Sequence, residues 1–255
     1  VWVDAFLNYL TGLGWNGDEK DVPGLWPVDL QLIGKDILRV HATIWPAILL
    51  HLGLPLPKKI FVHGHILSGG KKMSKTLRNV IGIDEMLEKF GKDGTRYLLL
   101  SAGTFGDDVD ITMERMVEKY NADLANGLGN LTSRVIKLAE GIAPHTLNPS
   151  PSGRGWTGGP GEGKSLENSV LDLELSSALE EIWKIIREDD KYIDENKPWE
   201  LKKNDPKKFG EVMEKLIKDL NDVLMLLAPF LPETSEKIKK ALETKGVGIL
   251  FPRIK

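Results

Sequence analysis

The 255-residue chain is 41% hydrophobic, enough to bury a sizeable core and divide it between two domains. It has no cysteine, which excludes disulfides and thiolate metal sites within it, and no apolar run reaches the ~18 residues of a membrane span. A formal net charge of −3 excludes overall electrostatic attraction to nucleic acid, so such a partner would need local basic patches.

Residues 1–68 alternate between strand and helix patterns. Val1-Trp2-Val3 is a candidate strand, and Asp29–Gly34 is a second. A helix is expected over about 36–52, with Ile37, Val40, Ile44, Ile48 and Leu52 at helical spacing, ended by Gly53 and Pro55. Lys59-Ile60-Phe61-Val62 is a third strand. Such alternation argues for a parallel sheet, here half of a doubly wound one. A half-sheet leaves an edge and an apolar face that something else should cover.

Residues 69–117 hold a basic loop, a short helix around Ile83–Phe90 and the apolar run Tyr97–Leu100. Asp107, Asp108 and Asp110 read as turn chemistry and favourable charge before the next helix, in preference to a metal site. From Thr112 the pattern is helical. Stripes run through Met113, Met116, Tyr120, Leu124, Leu128, Leu131 and Val135, then Leu175–Ile186, then Phe209–Leu227, with a short helix after Thr234. Amphipathic helices of this kind make a bundle. Pro144–Gly163, rich in Pro and Gly, is expected to be a mobile loop.

The chemistry concentrates at Lys72-Met73-Ser74-Lys75-Thr76, directly after Gly69-Gly70. Two ammonium groups three residues apart on a short turn form a clamp suited to a polyphosphate; the alternative is a solvated basic turn. Asp36, at the carboxyl end of the second strand, suits either a ribose hydroxyl or a helix cap. His63 and His65 alternate on a strand, and two histidines alone make no metal site. Ile37 and His41 stand at i and i+4 and can share a pocket wall; so do Asn130 and Arg134, which put an amide and a guanidinium on one helix face.

These residues fall in segments that resemble the methionyl branch of the class I aminoacyl-tRNA synthetases. Lys72–Thr76 is similar to the KMSKS signature, with Thr for the final Ser, and Phe61-Val62-His63-Gly64-His65 to the strand before it. Ile33-Gly34-Lys35-Asp36-Ile37 with His41 and Trp45-Pro46, Val1–Ala5 with Asn8-Tyr9, Asp123–Asn126 with Gly129–Arg134, and Lys197-Pro198-Trp199 resemble further family segments in the same order. Phe6 (often Pro), Gln31 (often His) and Arg78 (often Gly) depart from the pattern. The signature HIGH string is absent, so the resemblance is to the C-terminal half of a synthetase.

The resemblance implies α/β plus all-α architecture. Residues 1–68 would be the second half of a doubly wound Rossmann-type fold, 69–117 a stem-contact region, and 118–255 a helical anticodon-binding bundle with a mobile loop at about 144–165. It implies a cytoplasmic enzyme that activates methionine with ATP, taken as its Mg2+ complex, and transfers it to tRNA-Met. Zinc is not expected in this half, nor is a membrane partner. Lys72 and Lys75 would be catalytic; Lys72, Met73, Ser74, Lys75, Thr76 and Asp36 would hold ATP. Trp2, Tyr9, Ile37 and His41 would hold methionine, and Asn130, Arg134 and Trp199 the anticodon. Activity would require the N-terminal half as partner. The alternatives are a class I enzyme for another amino acid and a non-catalytic tRNA-binding module.

Overall fold

Phe6 and Leu10, four residues apart and both buried, wind the start of the chain into helix. In the computed structural model, which describes residues 2–18, 20–74, 76–140, 166–244, 246 and 248–255, α1 (Trp2–Phe6) and α2 (Asn8–Thr11) occupy this stretch. The strand expected at Val1–Val3 is therefore corrected to helix at Trp2 and Val3, and Val1 lies outside the described residues. Three residues are too short a window to reveal a four-residue repeat whose second member lies at Leu10.

β1 (Gln31–Gly34) pairs in parallel with β2 (Ile60–His63), with Gln31 opposite Ile60 and Gly34 opposite His63. Between them run a 3-10 turn at Lys35–Ile37, α3 (Leu38–Ala42) and α4 (Ile44–His51). The single helix expected over 36–52 is thus interrupted at Thr43, whose φ of −124° lies outside the helical range. A second sheet, of order β4-β3-β5, comprises β3 (Ile66–Ser68), β4 (Lys71–Lys72) and β5 (Val109–Asp110).

The chain divides into two compact units. The first is Val1–Leu67 with Gly106–Val109; the second is Ser68–Phe105 with Asp110–Lys255. The first is held by a small aromatic core of Phe6, Trp15, Trp26 and Trp45, filled in by Leu10, Leu49 and Leu54. Trp26 Nε1 donates to the Pro55 carbonyl at 2.8 Å, which satisfies a polar tip that burial would otherwise strand.

The second unit begins with α5 (Ile83–Leu100), kinked at Gly91. The expected helix at Ile83–Phe90 and the apolar run at Tyr97–Leu100 are its two arms. α6 (Met113–Lys119), a π-helical stretch Tyr120–Leu128 and α7 (Gly129–Leu138) follow without a break, so the expected boundary at 117/118 falls inside one continuous helix. Met116, Tyr120, Leu124 and Leu128 are all buried. Their strict four-residue spacing drifts around an α-helix but keeps better alignment where the helix widens to i→i+5 bonding. α8 (Leu166–Leu171), α9 (Leu175–Asn196), α10 (Pro198–Asn204), α11 (Pro206–Leu227) and α12 (Pro232–Thr244) complete the unit. The expected loop at 144–163 lies outside the described residues.

Polar groups fix how these helices meet. Asp93 of α5 accepts from the Thr234 amide at 2.6 Å, capping the first turn of α12, and Arg96 donates to the carbonyls of Phe230 and Pro229. Between α9 and α11, Lys215 reaches Asp189 at 3.1 Å and Asp219 at 2.5 Å and lies 4.5 Å from the Tyr192 ring centre. Both carboxylates are buried. Burial pushes the Asp189 carboxyl up to about 7, against the opposing pull of Lys215. Burial alone would lower Lys215, but the hydrogen bonds and charges of Asp219 and Asp189 outweigh it and raise the ammonium above its ordinary value.

Candidate functional site

In the first unit, His41 stands on α3 with its ring buried. Its Nδ1 lies 3.0 Å from the Ile37 carbonyl and its Nε2 3.0 Å from the Tyr9 hydroxyl. A carbonyl can only accept, so Nδ1 carries a proton; in the neutral ring Nε2 then accepts from Tyr9 Oη–H. Phe6 meets His41 edge to face at 4.9 Å and stacks on Trp45 at 5.5 Å, and Tyr9 is 5.7 Å from Trp45. Three of the expected residues, Tyr9, Ile37 and His41, are therefore brought together, and Tyr9 remains partly exposed. The backbone of the fourth, Trp2, opens α1. Trp45 Nε1 is fully buried and finds no hydrogen-bond partner among the described residues, a costly state. Such a box offers polarizable faces to an apolar or thioether side chain and a fixed hydroxyl–imidazole pair at its polar end.

At the carboxyl ends of the parallel strands, Asp36 and His63 flank Gly34. A side-chain carbon at Gly34 would come within 2.8 Å of Asp36 Oδ1 and 3.6 Å of the His63 ring, so the glycine leaves their space open. Open α/β sheets bind ligands at this end. Next to Asp36, Lys35 pairs with Asp108 at 2.5 Å, and that hydrogen bond, with another from the His65 amide, holds the Asp108 carboxyl below its usual range.

In the second unit, Lys71–Lys72 is the short strand β4, reached through Gly69 and Gly70, whose φ of 62° and 72° favour glycine. Lys72 is exposed, Met73 packs against the helical core, and Ser74 Oγ accepts from the Leu77 amide at 3.1 Å. Lys75 lies outside the described residues; Thr76 follows in an exposed turn. Arg78 has φ 51°, a left-handed backbone that costs a non-glycine residue about 1 kcal/mol.

Asn130, exposed near the start of α7, lines a cavity of about 480 Å³ with Asn126, Ser133 and Arg253. Arg134, one turn on, is held by Asp190 at 3.1 Å and by Asp194. Burial raises the Asp190 carboxyl against the pull of Arg134. Trp199, on α10, is 47% exposed, far more than a packing tryptophan such as Trp183. Among the described residues no three His, Asp or Glu side chains form a metal-like cluster. No helix there is long and apolar enough to cross a membrane.

A family model described as tRNA synthetases class I (M) matches residues 1–136, more than half of the chain. The chain belongs to that family. Methionine–tRNA ligase of Clostridium acetobutylicum is 40% identical over 95% of this chain and 39% of its own length. Methionine–tRNA ligase of Caldanaerobacter subterraneus subsp. tengcongensis is 38% identical over the whole chain and 44% of its own length. The chain thus spans less than half the length of these curated relatives. Among solved structures, Mycobacterium tuberculosis methionyl-tRNA synthetase in complex with methionyl-adenylate is 30% identical. It superposes with a TM-score of 0.78 over 99% of this chain and 55% of that one. The apo form of that synthetase gives 29% and 0.78, covering 56% of its own chain.

Within this synthetase family chain, three features escaped the sequence reading. Trp45 was visible only as part of a matching string, because its stranded N–H is a property of packing. Phe6 showed as a departure, not as a wall between His41 and Trp45. Asn79, three residues beyond Thr76, carried no signal because its partners are backbone groups.

Proposed function

We propose that this chain serves ATP-dependent methionine–tRNA ligation, acting with a nucleotide-fold half that carries the HIGH motif. The observation that carries the reading is the Tyr9–His41–Ile37 arrangement inside an aromatic box, in a chain 40% identical to a methionine–tRNA ligase. Trp2, Tyr9, Ile37 and His41 would hold methionine, with Phe6 and Trp45 packed behind the Tyr9 and His41 rings. Asp36 would accept from the ATP ribose. Lys72 and Lys75, with Mg2+ brought by the nucleotide, would neutralise the triphosphate as methionine's carboxylate attacks the α-phosphorus and pyrophosphate leaves. Met73, Ser74 and Thr76 complete the loop around the phosphates.

Transfer to tRNA-Met needs the anticodon to be read at a distance from this chemistry. Asn130 offers an amide to a base edge, Arg134 a guanidinium whose place is fixed by two carboxylates, and Trp199 an exposed ring for stacking. With no cysteine in this chain, a thiolate zinc site of such a ligase would lie in the other half.

The test is methionine-dependent ATP–pyrophosphate exchange by the chain alone and mixed with a HIGH-bearing half. Exchange only in the mixture supports the reading, and Lys75→Ala should then reduce it at least a hundredfold. An amino-acid panel separates methionine from leucine, isoleucine, valine and cysteine. Association of the halves with no exchange, but salt-dependent tRNA binding, favours a non-catalytic module instead.

A further inference from the structure

One side chain ties the lysine loop together. The Ser74 amide donates to Asn79 Oδ1 at 2.9 Å, which fixes the orientation of the Asn79 carboxamide. Its Nδ2 then points its two hydrogens at the carbonyls of Ser68 and Lys72, each 3.4 Å away. Three backbone groups, from the strand before the glycine turn, from β4 and from the signature segment, thus converge on one half-buried amide.

Neighbouring contacts act on the same short segment. The Gly70 amide donates to Asp110 Oδ1 at 3.0 Å, and Asp110 Oδ2 accepts from Arg115 at 3.3 Å at the start of α6. Met73 rests on the helical core. The entry of the loop is therefore pinned by Asp110, its middle by Met73 and its exit by Asn79. Only a carboxamide of this length supplies one acceptor and two donors together. Aspartate keeps the acceptor but turns two attractive contacts into repulsive ones, and leucine keeps the volume and loses all three.

We propose that Asn79 is the positioning residue of the lysine loop, clasping the backbone of Lys72 and Ser74 in the geometry a triphosphate meets. The inference rests on the ATP-dependent reading above. It deepens that reading by naming a residue that touches neither phosphate nor methionine. A lysine acts on a transferring phosphoryl group only as well as its backbone is held, so loosening the clasp lowers turnover and leaves methionine recognition alone.

Two measurements on Asn79→Asp and Asn79→Leu test this. In the full chain, trypsin cleavage within Lys71–Arg78 should accelerate about tenfold, because proteolysis follows local opening, while the thermal midpoint stays at the wild-type value. In the mixture with the HIGH-bearing half, kcat for exchange should fall about tenfold or more with KM for methionine unchanged. Wild-type cleavage in both variants overturns the clasp, and so does a thermal midpoint that falls in step with the cleavage. A fall in methionine affinity equal to the fall in turnover also overturns it. Absence of exchange in the wild-type mixture instead sinks the catalytic reading, leaving cleavage to decide whether Asn79 holds the loop.

Discussion

The two units treat their apolar residues differently. In the helical unit the inner faces close: Leu216, Ile217, Leu220 and Val223 on α11 have no exposed surface. In the α/β unit Leu25, Leu32 and Leu50 are 75%, 52% and 65% exposed, although its small aromatic core is tightly buried. A helix bundle completes itself from amphipathic stripes, whereas a two-stranded parallel sheet cannot cover both its faces. The helical unit thus hides the inner faces of its main helices, while the α/β unit leaves Leu32 of its sheet and Leu50 of α4 open.

The largest expected difference is in core truncation. Leu216→Ala should cost about 3 kcal/mol, and Leu50→Ala less than about 0.5 kcal/mol, in chemical denaturation of the chain. Equal costs would break the contrast. Within the helical unit, Lys215→Met removes the cation that pairs with the buried Asp189 and Asp219 and should cost about 2 kcal/mol, reduced from a fully buried pair because Lys215 is partly exposed. At the surface of the same unit, Trp199→Ala should leave the melting temperature unchanged. If Trp199 stacks on a base, tRNA-Met affinity falls by about 1.5 kcal/mol, roughly tenfold; unchanged affinity removes it from the anticodon site.

A pH titration sharpens the comparison further. Asp189 titrates near 7 in the folded chain and near the ordinary carboxylate value of 3.8 when unfolded. Between those values the folded state holds more protons, so this group's contribution makes stability fall as pH rises from about 4 to about 7. Asp189→Asn should flatten that slope; an unchanged slope would show that the group stays ionised beside Lys215. The smallest effect is expected at Arg78→Gly. Relief of the left-handed backbone offsets the entropy glycine adds to the unfolded chain, for a net change within about 0.5 kcal/mol.

The helical unit was legible in the sequence because periodicity is local: the stripes at 113–135, 175–186 and 209–227 all lie on helices. What escaped depends on partners distant along the chain. The Thr43 interruption and the continuation of α5 through Gly91 leave no mark on an apolar pattern. His41 is buried because Tyr9 and Phe6, more than thirty residues away, close over it. The pairing of Arg134 with Asp190 and Asp194 spans 56 and 60 positions. Motif spacing found the lysine loop; it could not find the amide that ties it.

The π-helical stretch at Tyr120–Leu128 sets the angular phase of everything that follows it. Each residue of an α-helix advances about 100° around the axis, and an i→i+5 turn accommodates one residue more than an α-turn does. Rewinding this stretch as a regular α-helix with all its residues kept would swing its distal half by about that angle, rotating Leu131 and Val135 away from the core and Asn130 and Arg134 from the direction they now face, whereas deleting one residue would undo that swing. The widened turns work as a dial, matching the compass bearing of one end of a long rod to the anchorage of the other.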